Sequence, residues 1–309
     1  MLLHHSLVEA YHSAATAGDI LLDQGLTSGH SEQAEKYSSK AWQIEMQQRI
    51  ADELRAKLDF IGVSWAGEQS VSEKQVRLLD YACGTGNISR ALAPFVTSIT
   101  GIDLSENMAA KFNESFAGSS LKTPPRLANG GTGHAMVGDL LSDPPSSTLD
   151  KPELFDYEIA TVGVGFHHFP DPAQALARLA QRVKAGTGVV LIIDWLPDEA
   201  GHQAHHHHDG HCQHRAHAGG HGSEHAHGVG GDPLFGSADD HGGANHRVMS
   251  TIKTHGFTEH DMRQHFEAAG CTDFGFSLLA EPFVMWLGEG EHERRVEKRL
   301  FLARGQRKD

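Results

Sequence analysis

The sequence predicts an α/β fold, a mostly parallel sheet covered by helices on both faces. Three observations point there. Short apolar runs rich in Val, Ile and Leu alternate over short links with segments of helical period, and the runs are apolar on both faces, as strands buried from both sides must be. The third is a strand, a turn of small residues and a helix in direct succession, "VRLLDYACGTGNISRAL", beginning at residue 76.

The elements follow in order. Residues 31–60 place Tyr37, Trp42, Ile44, Met46, Ile50, Leu54 and Leu58 at near-helical spacing, predicting one or two helices ahead of the core. "VRLLDYA" is a buried strand, "NISRALAPF" a helix and "SITGIDL" a second strand. "SENMAAKFNESF" is a helix with Ser105 as N-cap. "HAMVGDL" and "FDYEIATVGV" give a third and a fourth strand. "DPAQALARLAQRVK" is a helix with Asp171 capping and Pro172 in its first turn, and "VVLIIDW" is a fifth strand. Later, "TEHDMRQHFEAAG" starts on Thr258 and Asp261, half of a capping box, and "CTDFGFSLLAEPF" with "EKRLFLARGQ" predict an antiparallel hairpin.

Composition narrows the function classes. The formal charge is -14, with 40 Asp and Glu against 26 Lys and Arg, which disfavours a nucleic-acid partner. The basic residues near the C-terminus (Arg294, Arg295, Lys298, Arg299, Arg304, Arg307 and Lys308) interleave with Glu and read as a solvated strand and end. Cys83, Cys212 and Cys271 are too scattered for a disulfide framework. No basic start leads into an apolar run, and no stretch reaches the roughly 18 apolar residues of a membrane span, so a cytoplasmic protein without a membrane partner is expected.

Residues 201–247 hold 13 of the 24 histidines among Gly, Ala and Asp, and have almost no apolar content. Such a stretch cannot repay its ordering entropy, so it reads as a low-complexity insertion within one domain. Its imidazoles and Cys212 offer weak binding of Zn, Ni or Cu, but no fixed geometry, and no specific metal site is expected. The expected organisation is an arm and helical cap over 1–75, a cofactor-binding core over 76–200, the insertion over 201–247, and the rest of the same core over 248–309.

The turn after the first strand carries the chemistry. Gly84 and Gly86 let the backbone approach a ligand, and Asp103 ends the second strand about 20 residues on, where a carboxylate can accept from both hydroxyls of a ribose. A dinucleotide fingerprint would have a third small residue where Ser89 stands, and Asp80 at the strand end would repel a pyrophosphate. Asp80 instead suits a cofactor with an ammonium and a positive sulfonium. These two residues argue against the competing reading, an NAD-dependent oxidoreductase.

"LLDYACGTGNISRAL" with "GIDLSENM" resembles the first two motifs of class I S-adenosylmethionine-dependent methyltransferases, with Ala82 in place of the first glycine of the D/E-x-G-x-G-x-G pattern. "MVGDLL" resembles the third cofactor motif, and "FDYEIATVGVGFHHFPDPAQAL" and "GVVLIIDW" resemble the fourth and fifth strands of the small-molecule branch. The resemblance implies a Rossmann-like seven-stranded, mostly parallel sheet with an antiparallel last strand and an N-terminal helical cap. It implies S-adenosyl-L-methionine as cofactor, with Asp80, Ala82, Gly84, Gly86, Asp103, Leu104 and Met108 around it. It also implies that Asp139 accepts from the adenine amino group and that Leu140 offers its backbone. "AEKYSSKAW" resembles the N-terminal helix of fungal members, whose tyrosine, here Tyr37, lies over the cofactor.

The implied activity is methyl transfer to a small organic acceptor on O, N or C. The cofactor carries the reactive group, so the protein must align the acceptor, and a base is needed only where the acceptor sheds a proton. His167 and His168, after the fourth strand, are the candidate bases, with Asp194 and Trp195 beside the same crevice. A cofactor-binding regulator without its own small acceptor is the other reading.

Overall fold

A computed structural model describes residues 41–67, 74–118, 124–144, 146–197, 252–287 and 294–309. The histidine-rich insertion and Tyr37 lie outside the described residues. Helix α1 (Ala41–Ala56) and the short α2 (Leu58–Ile61) precede the sheet. Then come β1 (Arg77–Tyr81), α3 (Asn87–Leu92), β2 (Ser98–Asp103), α4 (Glu106–Phe116), β3 (Thr132–Val137) and β4 (Ile159–Gly163). After these follow α5 (Pro172–Arg182), β5 (Val189–Trp195), α6 (Glu259–Ala268), β6 (Cys271–Leu278), β7 (Phe283–Leu287), β8 (Arg294–Lys298) and β9 (Leu300–Arg307).

The main sheet has seven strands in the order β3-β2-β1-β4-β5-β9-β6. The first five pair in parallel, and β9 runs antiparallel to both β5 and β6. Strand period then divides the core between the two faces. Leu78, Ile159, Leu191 and Leu302 pack on one side with α1, while Leu79, Ala160, Ile192 and Phe301 pack on the other with α5 and α6. All seven residues of β5 are buried, which is why its sequence shows no alternation.

The helix starts follow their capping chemistry. Ser105 accepts from the Met108 N–H at 3.2 Å, and Asp171 accepts from the Gln174 N–H at 2.9 Å ahead of Pro172. Thr258 and Asp261 complete the box, each side chain accepting the other's backbone N–H.

At the C-terminal end the expected antiparallel pair is present as β6 with β9, but not as a direct hairpin: between them β7 pairs with β8 in a separate two-stranded sheet. The apolar stretch from Cys271 is therefore divided, because Phe283 turns away to pack on Trp195 at 6.1 Å between ring centres. Nor is the basic C-terminal stretch a solvated strand throughout. β9 lies inside the sheet with Leu300–Ala303 buried, its apolar half outweighing its arginines.

Candidate active site at the carboxyl ends of the strands

The parallel strands all end on one edge, and the loops that leave them build the site. After β1 the chain turns through Ala82, Gly84 and Gly86, all at positive φ (55°, 52° and 85°). Gly86 has no substitute: a Cβ there would stand 2.7 Å from the Phe112 ring. At Gly84 a Cβ would meet nothing within 4 Å, so the loop backbone lies open to a ligand. Ala82 holds the same left-handed backbone without being glycine. So does Val164, at φ 55° just beyond β4. Neither side chain favours that region, and both residues line one cleft.

That cleft is about 350 Å³. Of the residues singled out in the sequence, Asp80, Ala82, Gly84, Met108, His167 and His168 come together in its wall. Gly86, Asp103, Leu104, Asp139 and Leu140 do not line it. Asp103 instead closes the loop from beneath, one carboxylate oxygen accepting from the Gly84 N–H at 2.8 Å and the other from the Ser105 N–H at 2.9 Å. Asp139 follows β3 and accepts from the Tyr81 hydroxyl at 3.2 Å and the Leu141 N–H at 2.7 Å. Leu140 is buried beside it.

Asp80 is 1 % exposed and accepts from the hydroxyls of Ser89 at 2.6 Å and Thr161 at 3.1 Å. Burial pushes its carboxyl up to about 7 against these bonds, which favour the charged form. A positive ligand group beside it would restore the charge. Thr161 went unnoticed in the sequence because it reaches Asp80 only through the pairing of β1 with β4.

Across the cleft, a short turn over Phe166–His168 leaves β4. The His167 Nδ1 is 2.7 Å from Asp194 Oδ1, and its backbone N–H donates to Oδ2 at 2.9 Å. Asp194 is fully buried at the end of β5 and also accepts from the Trp195 N–H. With Nδ1–H assigned as donor to the carboxylate, Nε2 is left as the proton acceptor. His168 is partly exposed, its ring 4.1 Å from that of His167. The wall is completed by α1 (Trp42, Gln43, Met46, Ile50) and by Met285 and Lys298 of the small sheet. Sequence reading missed these last two for want of any motif.

A sequence profile of the methyltransferase domain matches residues 44–273. The chain belongs to the methyltransferase domain family. The methyl donor of this family is S-adenosylmethionine. Among relatives of this chain, an uncharacterized methyltransferase of Schizosaccharomyces pombe is 29% identical over 119 residues, 38% of each chain. The demethylmenaquinone methyltransferase of Desulfitobacterium hafniense is 32% identical over 130 residues, 41% of this chain and 45% of that one. The matched stretch therefore spans less than half the length of either relative. In three dimensions the chain is similar to a candidate methyltransferase of Bacillus halodurans, at TM-score 0.51 and 14% identity over 84% of this chain and all of that one, a likeness of fold.

The residues present fit the family's cofactor. The open loop at Gly84 admits a ligand against backbone, and the buried Asp80 carboxyl gains from a cation. Among the described residues no helix is long and apolar enough to cross a membrane, and no three His, Cys, Asp or Glu side chains gather to hold a metal ion.

Proposed function

We propose that this methyltransferase moves a methyl group from S-adenosylmethionine to a small organic acceptor, on an O, N or C atom that gives up its proton to His167. The observation that carries the reading is His167, in the wall of the cleft that holds the glycine loop and 2.7 Å from the buried Asp194 behind it.

When bound, S-adenosylmethionine supplies a methyl group on a positive sulfur that leaves as a neutral thioether. Asp80 takes the ammonium, Ala82, Gly84 and Gly86 shape the loop around the methionine end, and Asp103 accepts from the ribose hydroxyls. Leu104 and Met108 pack beside the nucleoside, Asp139 accepts from the adenine amino group and Leu140 offers its backbone. At the acceptor, His167 Nε2 takes the proton as the lone pair attacks carbon, and the Asp194 carboxylate stabilises the imidazolium that results. His168 borders the acceptor beside His167. Trp195, Met285 and Ile50 exclude water from the apolar part of the cleft.

A labelled-methyl assay against a pooled small-molecule library tests this reading, together with calorimetry of S-adenosylmethionine binding. Binding of the donor and transfer of label to a small compound are expected. No heat of binding overturns the site.

A further inference from the structure

We propose that Trp42 and Gln43 form the subsite that recognises the polar end of the methyl acceptor, and that this acceptor is a neutral, mostly apolar compound carrying a hydroxyl or amide N–H beside a carbonyl. The proposal rests on reading the cleft as a methyl-transfer site.

Both residues belong to the first turn of α1 and line the cleft. Gln43 is 8 % exposed, and its side-chain oxygen has no hydrogen-bond partner among the described residues. The Trp42 indole N–H is buried and equally without a partner. Buried polar atoms are nearly always satisfied, since an unmet donor or acceptor forfeits its hydration with nothing in return. Two such atoms on adjacent residues that line one cleft are an unmet demand for a ligand.

Their chemistry specifies the ligand. An indole N–H can only donate and an amide oxygen can only accept, so the partner must present an acceptor atom, for which a carbonyl oxygen is well suited, to Trp42 and an O–H or N–H to Gln43. Both protein groups are uncharged. The charged end of the cofactor has its counter-charge at Asp80, which leaves the neutral pair for neutral groups. Met46, Ile50 and Met285 supply apolar wall that suits an apolar body, with Lys298 at the same wall.

The helix that carries the pair is also tied to the rest of the chain further along its length. Arg49, further along α1, donates to the carbonyls of Glu281 at 2.7 Å and Pro282 at 3.2 Å and lies 4.0 Å above the Phe283 ring. Arg55 donates to the Ala91 carbonyl at 3.3 Å. A rigid donor–acceptor pair discriminates strongly, because a compound lacking either group leaves a buried atom unpaired.

The test uses the full chain with labelled S-adenosylmethionine and a pool of neutral hydroxy-carbonyl and amido-carbonyl compounds, each matched with analogues lacking one of the two groups. Gln43→Met, which keeps length and burial, and Trp42→Phe are compared with the parent by calorimetry and by transfer. The parent is expected to label compounds with both groups in preference to their analogues. Each variant is expected to lose about ten- to hundred-fold in transfer while keeping its affinity for S-adenosylmethionine. Affinity for the donor falling in step with transfer would assign the pair to the cofactor and overturn the proposal. So would unchanged transfer in both variants, preferential labelling of the analogues, or a parent that binds the donor and labels none of the pool. A parent that does not bind the donor overturns the reading of the cleft instead.

Discussion

The imidazole of His167 and the carboxylate of Asp194 meet at 2.7 Å where β4 and β5, adjacent in the sheet, run out at the same edge. One carboxylate takes three N–H groups: the His167 ring, the His167 backbone and the Trp195 backbone. It therefore fixes the turn after β4 and selects which ring nitrogen faces the cleft.

Replacing Asp194 with Asn keeps the size but offers a donor where an acceptor is needed. Turnover at neutral pH is expected to fall by about 10²- to 10⁴-fold, with affinity for S-adenosylmethionine unchanged. Turnover falling while donor affinity and the melting temperature hold separates this role from a purely structural one. Asp194→Ala orphans buried N–H groups and should cost about 2–5 kcal/mol in urea unfolding.

Asp80 makes stability depend on pH. Burial raises its carboxyl to about 7 in the folded chain, against roughly 3.9 unfolded. An acid raised on folding holds its proton longer in the folded state, so its stabilising contribution is complete below about pH 4 and is lost as pH climbs to about 7. Asp80→Asn should remove that slope from the difference between variant and parent. Binding a cationic donor favours the ionised carboxylate, so at about pH 6 binding should release a proton, read from calorimetry in buffers of different ionisation heat. Proton uptake would place the ammonium elsewhere.

Asp103 joins the loop to the second strand through Gly84 and Ser105. Asp103→Ala should weaken S-adenosylmethionine binding by roughly 100-fold or more, since charge-assisted bonds to a ribose and the fixed loop are lost together. Unchanged affinity would sink the ribose assignment.

Two glycine exchanges should move stability in opposite directions. Ala82→Gly relieves a left-handed backbone at φ 55° and should be neutral or stabilising by up to about 1 kcal/mol. Gly86→Ala drives a Cβ to 2.7 Å from Phe112 at φ 85° and should cost about 1–3 kcal/mol. Thermal melts of both variants check the pair.

The sequence by itself determined the elements of the sheet and the loop that leaves its first strand. These features are local: strand and helix periods, capping at Ser105, Asp171 and Thr258, and the small residues from Ala82 to Gly86 are all fixed within a few residues of one another. β5 is Val189–Trp195, the seven residues read from the sequence. Only the tertiary structure decided which groups meet across the sheet. Asp194 reaches His167, Thr161 reaches Asp80, and Trp42 and Gln43 line the cleft from a helix that the sequence tied to the cofactor only through Tyr37. β7 and β8 likewise left the main sheet for a small one of their own. The reason is physical: a period of two or 3.6 residues fixes which face a side chain takes, but strand order and register decide what it finds there.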